Sequence, residues 1–369
     1  MSNPFIPQGT DCTELNLGFL PLLDAAPLIV AQEAGFFADA GLQVHLHREG
    51  NWASLRDKLS LKLIDAAHLL APLVVASQTS LASTAVRNRL TTSLSLGLNG
   101  NAITFSNALS TALNCALPAT QAELGPALKA VIDDRHERGL PKLVFGTVFP
   151  MSMHTYLLRT FFEQANIDPN QDIGIRVVPP QQMVEALTQG DVDGFCVGEP
   201  WNTDAVRACQ GNLALLGYDI WPDAPEKVLA VHADFAEQQP DTHQALIGAL
   251  LRACQWLDGP NSLASVAHWL AKPDYLNCDS DLLLEAMQAP WHDGLPRWHK
   301  VFFRNRATYP DPDHARWMLT QMLAARQLPE KRVSDTEVID RAYQPEIWKK
   351  VFKKMTTVPK AETPTDSET

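Results

Sequence analysis

Cys196-Val197-Gly198-Glu199-Pro200-Trp201-Asn202 (CVGEPWN) closes a run, GDVDGFC (190–196), whose Val192, Phe195, Cys196 and Val197 suit a buried strand. Glycine allows close backbone approach, proline ends ladder pairing, and a helix is expected to start near Asn202. A plain strand-to-helix turn would use the same residues. In an open α/β sheet, however, the crevice beyond the carboxyl ends of strands is where ligands sit. The fold therefore depends on whether strands and helices alternate on both sides of this turn.

They do. Upstream, strands are expected at 15–21, 42–47, 65–71 and 93–105, the last with a turn at Asn99-Gly100, and helices at 26–41 and 52–63. The pattern restarts with strands at 142–149, 173–179 and 192–198 around helices at 153–167 and 181–190. The runs 212–218 and 226–235 fit a strand leaving this second unit and a strand returning to the first, and from 240 onward the pattern is almost wholly helical. Helices between strands imply βαβ units and mainly parallel sheets. The expected architecture is α/β: two lobes, 13–105 plus 226–350 and 106–225, with a helical C-terminal cover and a ligand cleft between them. Residues 356–369 are polar and proline-containing and are expected to form a disordered tail.

Composition narrows the function. The chain has 369 residues, 46% hydrophobic and 20% charged, which exceeds one hydrophobic core. A formal charge of -12 opposes a nucleic-acid surface. No run of eighteen apolar residues suggests a membrane span, and the first twenty residues hold no Lys or Arg and no secretory pattern. Six scattered cysteines without a CxxC pair fit a reduced compartment, so a cytoplasmic location is expected.

GxSxG, HExxH, GxxxxGK[ST] and GxGxxG are all absent from the sequence, so no enzyme, cofactor or metal is expected. His45 and His47 would share a strand face without a third ligand, and Asp191 and Asp193 read as the start of a strand. What remains is a set of donors at element ends: Trp52 and His154 at helix starts, Asn101 after a turn, Gly198 after a strand, and Lys227 at a strand start. Each alone has a structural reading as core, turn, cap or solvated charge. Together they supply indole, amide, imidazole, backbone and ammonium N–H groups with no acceptor-only member, an inventory that suits an anion.

The stretches GFLPLLDAAPLIVAQEAGFF, NWASLRDKL, LNGNAI, GTVFPMSMH, GDVDGFCVGEPWN, PEKVLAVHADF and FFRNRATYPDPDHARWMLTQM resemble the nitrate-, nitrite- and bicarbonate-binding solute-binding proteins of ABC transporters, from about Leu15 to Tyr343. The resemblance implies a type II periplasmic-binding-protein-like fold closing on its ligand as a hinged clamp. By the family motif the anion would be held by Trp52, Asn101, His154, Gly198 and Lys227. The transporter proteins carry glutamine at the Asn101 position. Ala66, Ala67 and His68 replace glycines and QW, which would bring His68 to the cleft; Glu199 and Trp201 would support the site from behind. Without an export signal the chain resembles the cytoplasmic nitrate/nitrite sensors of the family, the NasS branch. That likeness implies a partner, an RNA-binding antiterminator of the NasT type, released when nitrate or nitrite binds. The alternatives are an ABC-transporter binding component and, more remotely, an enzyme of the thiamine-pyrimidine-synthase type.

Overall fold

The structure, a computed structural model, describes residues 12–79, 89–260, 263–289, 299–328 and 334–357. Two five-stranded sheets organise it. In the first, β1 (Thr13–Phe19), β2 (Leu42–Arg48), β3 (Ala66–Leu70), β4 (Leu90–Ser95) and β10 (Lys227–His232) lie in the order β2-β1-β3-β10-β4. The second holds β5 (Asn101–Ser106), β6 (Val144–Thr147), β7 (Gly174–Val177), β8 (Gly194–Gly198) and β9 (Gly211–Leu216), ordered β7-β6-β8-β5-β9. The layouts correspond strand for strand. Each is a parallel βαβ core into which the strand arriving from the other lobe is inserted antiparallel: β10 between β3 and β4, β5 between β8 and β9.

The residue patterns account for these positions. β3 and β10 are central, buried at every residue, and read as near-continuous apolar runs apart from His68, Lys227 and His232. At the sheet edge, β2 buries Leu42 and Val44 and turns Gln43 and His45 outward. Helix Trp52–Ser60 starts where the Asn51 side chain accepts from the backbone N–H of Ser54, and it lies close against Gly18 of β1. A Cβ on Gly18 would lie 2.4 Å from Leu55 Cδ1, so a side chain there would force Leu55 and Ile64 to repack. The long helix Pro240–Leu257 buries His243, Leu246, Ile247, Leu250, Leu251 and Cys254, a helical stripe packed on the core of the first lobe.

Three expectations are corrected. Residues 93–105 are not one strand: the chain leaves the first sheet after Ser95 and enters the second at Asn101. The first lobe therefore ends in the crossing segment before Asn101, not at 105. That change of direction uses positive φ at Gly97 (129°), Asn99 (61°) and Gly100 (100°). The sheets are mainly parallel, as expected, but each also takes one antiparallel strand from the crossover. The 26–41 helix is two, Ala26–Glu33 and Phe36–Asp39, broken at Gly35 with φ of 79°. Helix Pro345–Thr357 also takes in the first two residues of the expected tail, and 358–369 lie outside the described residues.

The two crossing segments pair with each other. Asn99 N–H donates to Ala224 C=O at 2.8 Å, Ala224 N–H donates to the Asn99 side-chain oxygen at 3.1 Å, and Leu98 bridges Pro225. The C-terminal helices also reach the second lobe. Tyr156 donates to Gln327 Oε1 at 2.8 Å, Gln327 donates to Pro150 C=O at 2.9 Å, and Trp317 packs on Trp221. No helix among the described residues is long and apolar enough to cross a membrane.

Candidate functional site

The carboxyl ends of both sheets, with the paired crossing segments, enclose a polar cluster. Trp52 is the first residue of its helix and His154 the second of helix Met153–Gln164, whose start is capped by Ser152 accepting from Thr155 N–H. Asn101 opens β5, Gly198 closes β8, and Lys227 opens β10. Asn101 and Gly198 are register partners across the β5–β8 ladder. All four side chains are buried, Lys227 and His154 completely. Sequence-distant donors meet because strand and helix ends converge on one crevice.

Their contacts form a chain. The Lys227 ammonium lies 5.2 Å from the centroid of the Trp52 ring, and the same ring is 5.8 Å from that of His68. A Cβ placed on Gly198 would lie 3.6 Å from Asn101 Oδ1 and 3.8 Å from Asp24 Oδ2, so the bare backbone faces the same space. Glu199, buried, fastens the turn: its carboxylate accepts from Thr203 N–H at 3.0 Å, and its carbonyl accepts from Leu23 N–H of the first lobe at 2.9 Å. Trp201 starts the following helix, half-buried, its indole N–H without a partner, and Asn202 ties that turn to Val197 and Thr104.

Two residues that sequence reasoning missed change the chemistry. Asp24 accepts from Lys227 at 2.7 Å and lies 3.0 Å from His68 Nε2; Glu226 also pairs with Lys227 and faces His154 Nδ1 at 3.5 Å. The pocket is therefore not made of donors alone. Two buried carboxylates accompany the ammonium, because one buried charge without partners would be prohibitively costly. A second ammonium nearby, the part-buried Lys300, donates to Asn99 C=O at 3.1 Å, anchoring the crossing segment. The available signals were LLDAA just after β1 and the PEK sequence at the return crossing, both at the carboxyl-end rim.

Burial sets the protonation pattern. It pushes the Lys227 ammonium down to about 8 despite Asp24 beside it. For Asp24, burial alone would raise the pKa, but Lys227 and His68 outweigh it and hold the carboxyl well below its usual range. His154 is lowered well below the ordinary histidine value by burial first and by Lys227 second. His68 is lowered by burial, with Asp24 opposing. The histidines are thus neutral at pH 7, each with one N–H to donate. Among buried polar atoms without a protein partner are Trp52 Nε1, Asn101 Nδ2 and both nitrogens of His154. Such orphans are rare in folded interiors and point to a ligand. The arrangement can hold a small oxyanion between an ammonium and neutral N–H donors.

The remaining candidates have structural explanations. His47 Nε2 lies 2.8 Å from Asn16 Oδ1, Asp193 accepts from Val144 N–H at 2.7 Å, and Asp191 pairs with Arg176 at 2.8 Å. His299 stacks on Tyr218, and His292, its heptad neighbour, lies outside the described residues. None of the six cysteines is in a disulfide.

Known proteins share this fold. The NMT1-like family model matches residues 8–271. The nitrate/nitrite binding protein NrtA of Nostoc sp. (strain PCC 7120) is 32% identical over 355 residues, covering 93% of this chain and 77% of its own. The nitrate import ATP-binding protein NrtC of Synechocystis sp. is 32% identical over 350 residues, 92% of this chain but 50% of that protein. The chain thus spans about half the length of several curated relatives it matches. Among solved structures, the periplasmic nitrate-binding protein NrtA from Synechocystis PCC 6803 superposes with a TM-score of 0.83 at 26% identity, covering 94% of this chain and 90% of that one. The alkanesulfonate-binding protein SsuA from Xanthomonas axonopodis shares the fold at 14% identity and a TM-score of 0.63. These relatives are named as binding and import proteins, and the solved ones share the two-lobed α/β architecture. The chain belongs to the NMT1-like family, in the group that contains the nitrate-binding solute-binding proteins.

Proposed function

We propose that the protein binds nitrate or nitrite between its lobes through Trp52, Asn101, His154, Gly198 and Lys227. The observation that carries this reading is the set of buried, unpartnered N–H donors, Trp52 Nε1, Asn101 Nδ2 and the His154 ring, beside a fully buried ammonium. Nitrate is planar, monovalent and weakly hydrated, so losing its water costs less than for phosphate. Hydrogen bonds to a charged group contribute about 1.5 to 3 kcal/mol each. Three or four of them, less closure costs, give about -8 kcal/mol, a micromolar Kd.

We further propose that this binding serves as a signal in the cytoplasm, as in NasS-type sensors. One lobe arrangement would hold an RNA-binding antiterminator of the NasT type, and the anion, by favouring the other, would release it. A ligand shifts such an equilibrium only by its difference in affinity for the two forms, so anion and partner must weaken each other equally. The likeness to import proteins supports a second reading, a transporter's nitrate-binding component. Calorimetric titration with nitrate, nitrite and bicarbonate, with and without the antiterminator, tests both. Sensing requires nitrate to dissociate a preformed complex. Absence of any complex, together with nitrate-dependent stimulation of a membrane transporter's ATPase, would establish import instead.

A further inference from the structure

The Lys227 ammonium is already paired with carboxylates before any anion enters. The charged groups that act on His154 are Asp24, from the turn after β1; Glu226 and Lys227, at the start of β10; and Lys300, from the segment that pairs with Leu98; His68, from β3, contacts Asp24. Glu199, also buried, accepts from Thr203 N–H in the turn after β8, and Cys196, pushed up to about 12 by burial, stays a neutral thiol. Asp24 and Glu226 both pair with Lys227, and the part-buried Lys300 is held by Asn99 C=O. A monovalent anion added to this set brings one negative charge with nothing to offset it, in a space closed to water.

The His154–Glu226 pair offers the remedy. Glu226 Oε1 and His154 Nδ1 face each other at 3.5 Å, both buried and neither hydrogen-bonded; His154 Nε2 is unpartnered too. Neutral imidazole has one N–H and can serve either Glu226 or an anion, not both. Imidazolium serves both at once. His68 and Asp24 make a comparable contact, but both belong to the first lobe; His154 comes from the second lobe and Glu226 from the return crossing.

We infer that the anion enters this pocket together with one proton, which resides on His154 between Glu226 and the anion. The inference rests on the anion-binding reading above and deepens it. Proton uptake offsets the charge that the anion brings, and it links the second lobe to the return crossing through a charged hydrogen bond. A divalent oxyanion would bring a second uncompensated charge, so the same pair selects monoanions. Linkage fixes the sign: where His154 is neutral in the free protein and protonated in the complex, Kd rises about tenfold per pH unit.

Counting protons tests it directly. Potassium nitrate is added to the full-length protein at pH 7.5 in weakly buffered potassium chloride, the pH is restored with acid, and calorimetry gives the anion bound. The expected result is close to one proton taken up per nitrate, with Kd about tenfold weaker at pH 8 than at pH 7. Glu226→Gln supplies permanently the neutralisation that the proton supplies transiently, so its uptake should fall towards zero and its affinity become insensitive to pH. His154→Gln, which keeps an N–H donor but cannot carry the charge, should also lose the uptake. Nitrate binding with no proton uptake in the wild type overturns the inference and leaves anion binding intact; so does full uptake in both variants. Failure of every small monoanion to bind would overturn the anion-binding reading itself, and this inference with it.

Discussion

Lys227 is the residue on which the pocket's electrostatics turn, and replacing it with methionine exposes the arrangement. Methionine fills much of the same volume without charge. Asp24 would keep only its contact with His68, and Glu226 would lose its cation and face the unpaired His154. Removing one partner of a buried ion pair costs about 3 to 5 kcal/mol, because the remaining charges stay desolvated. At a urea dependence of roughly 3 kcal/mol/M, that is a midpoint lower by about 1 to 1.7 M. The pH dependence identifies the cause. With two carboxylates facing one another, the folded variant holds a proton more tightly than the unfolded chain. Its stability relative to wild type is therefore recovered as pH falls from 7.5, by up to about 1.4 kcal/mol per unit. The triple change Asp24→Asn, Glu226→Gln, Lys227→Met removes all three charges and should recover most of the loss. Urea unfolding followed by circular dichroism at pH 7.5 and 5.5 measures all of this. A loss below about 1 kcal/mol for Lys227→Met, unchanged between the two pH values, would refute the buried triad. The same reasoning shows that a plain loss of nitrate binding on truncating Lys227 would not by itself identify a ligand residue.

Cleaner probes of binding lie nearby. Gly198→Ala places a methyl at ordinary contact distance, 3.5 Å from Leu22 Cδ2, but in the space shared by Asn101 and Asp24. Stability should change little while nitrate affinity falls about 5- to 150-fold, the equivalent of 1 to 3 kcal/mol of crowding, by calorimetry. Trp52→Phe keeps an aromatic face for Lys227 and removes the orphaned indole N–H; nitrate should bind roughly 10- to 150-fold more weakly with unfolding almost unchanged. Away from the pocket, burial pushes His243 down to about 4. The unfolded chain binds that proton from about pH 6.5, so stability falls as pH drops from 6.5, by about 2 kcal/mol at pH 5. His243→Leu should abolish that share of the acid loss.

Much of the architecture was legible because its signals are local. Buried strands such as VLAV announce themselves by pattern, and the donors at element ends follow from the rule that crevices lie at carboxyl ends of strands. The lobe boundary was not legible: the Asn99-Gly100 turn was visible in 93–105, but a turn does not say that the chain changes sheet there, which positive φ at Gly97, Asn99 and Gly100 accomplishes. Strand direction was hidden for a related reason, since β5 and β10 owe their antiparallel setting to the crossover rather than to their own residues. Asp24 and Glu226 were overlooked because an acid at a strand end reads as solvated until the fold shows it 2.7 Å from a buried ammonium or facing a buried histidine.

The central claim is that one small anion sits among Trp52, Asn101, His154, Gly198 and Lys227. A crystal structure of the protein grown with nitrate tests it most directly. The account predicts planar density enclosed between the lobes, within hydrogen-bond distance of Trp52 Nε1, the His154 ring and the Lys227 ammonium. Nitrate found elsewhere, or a pocket that stays empty while calorimetry records tight binding, would contradict it.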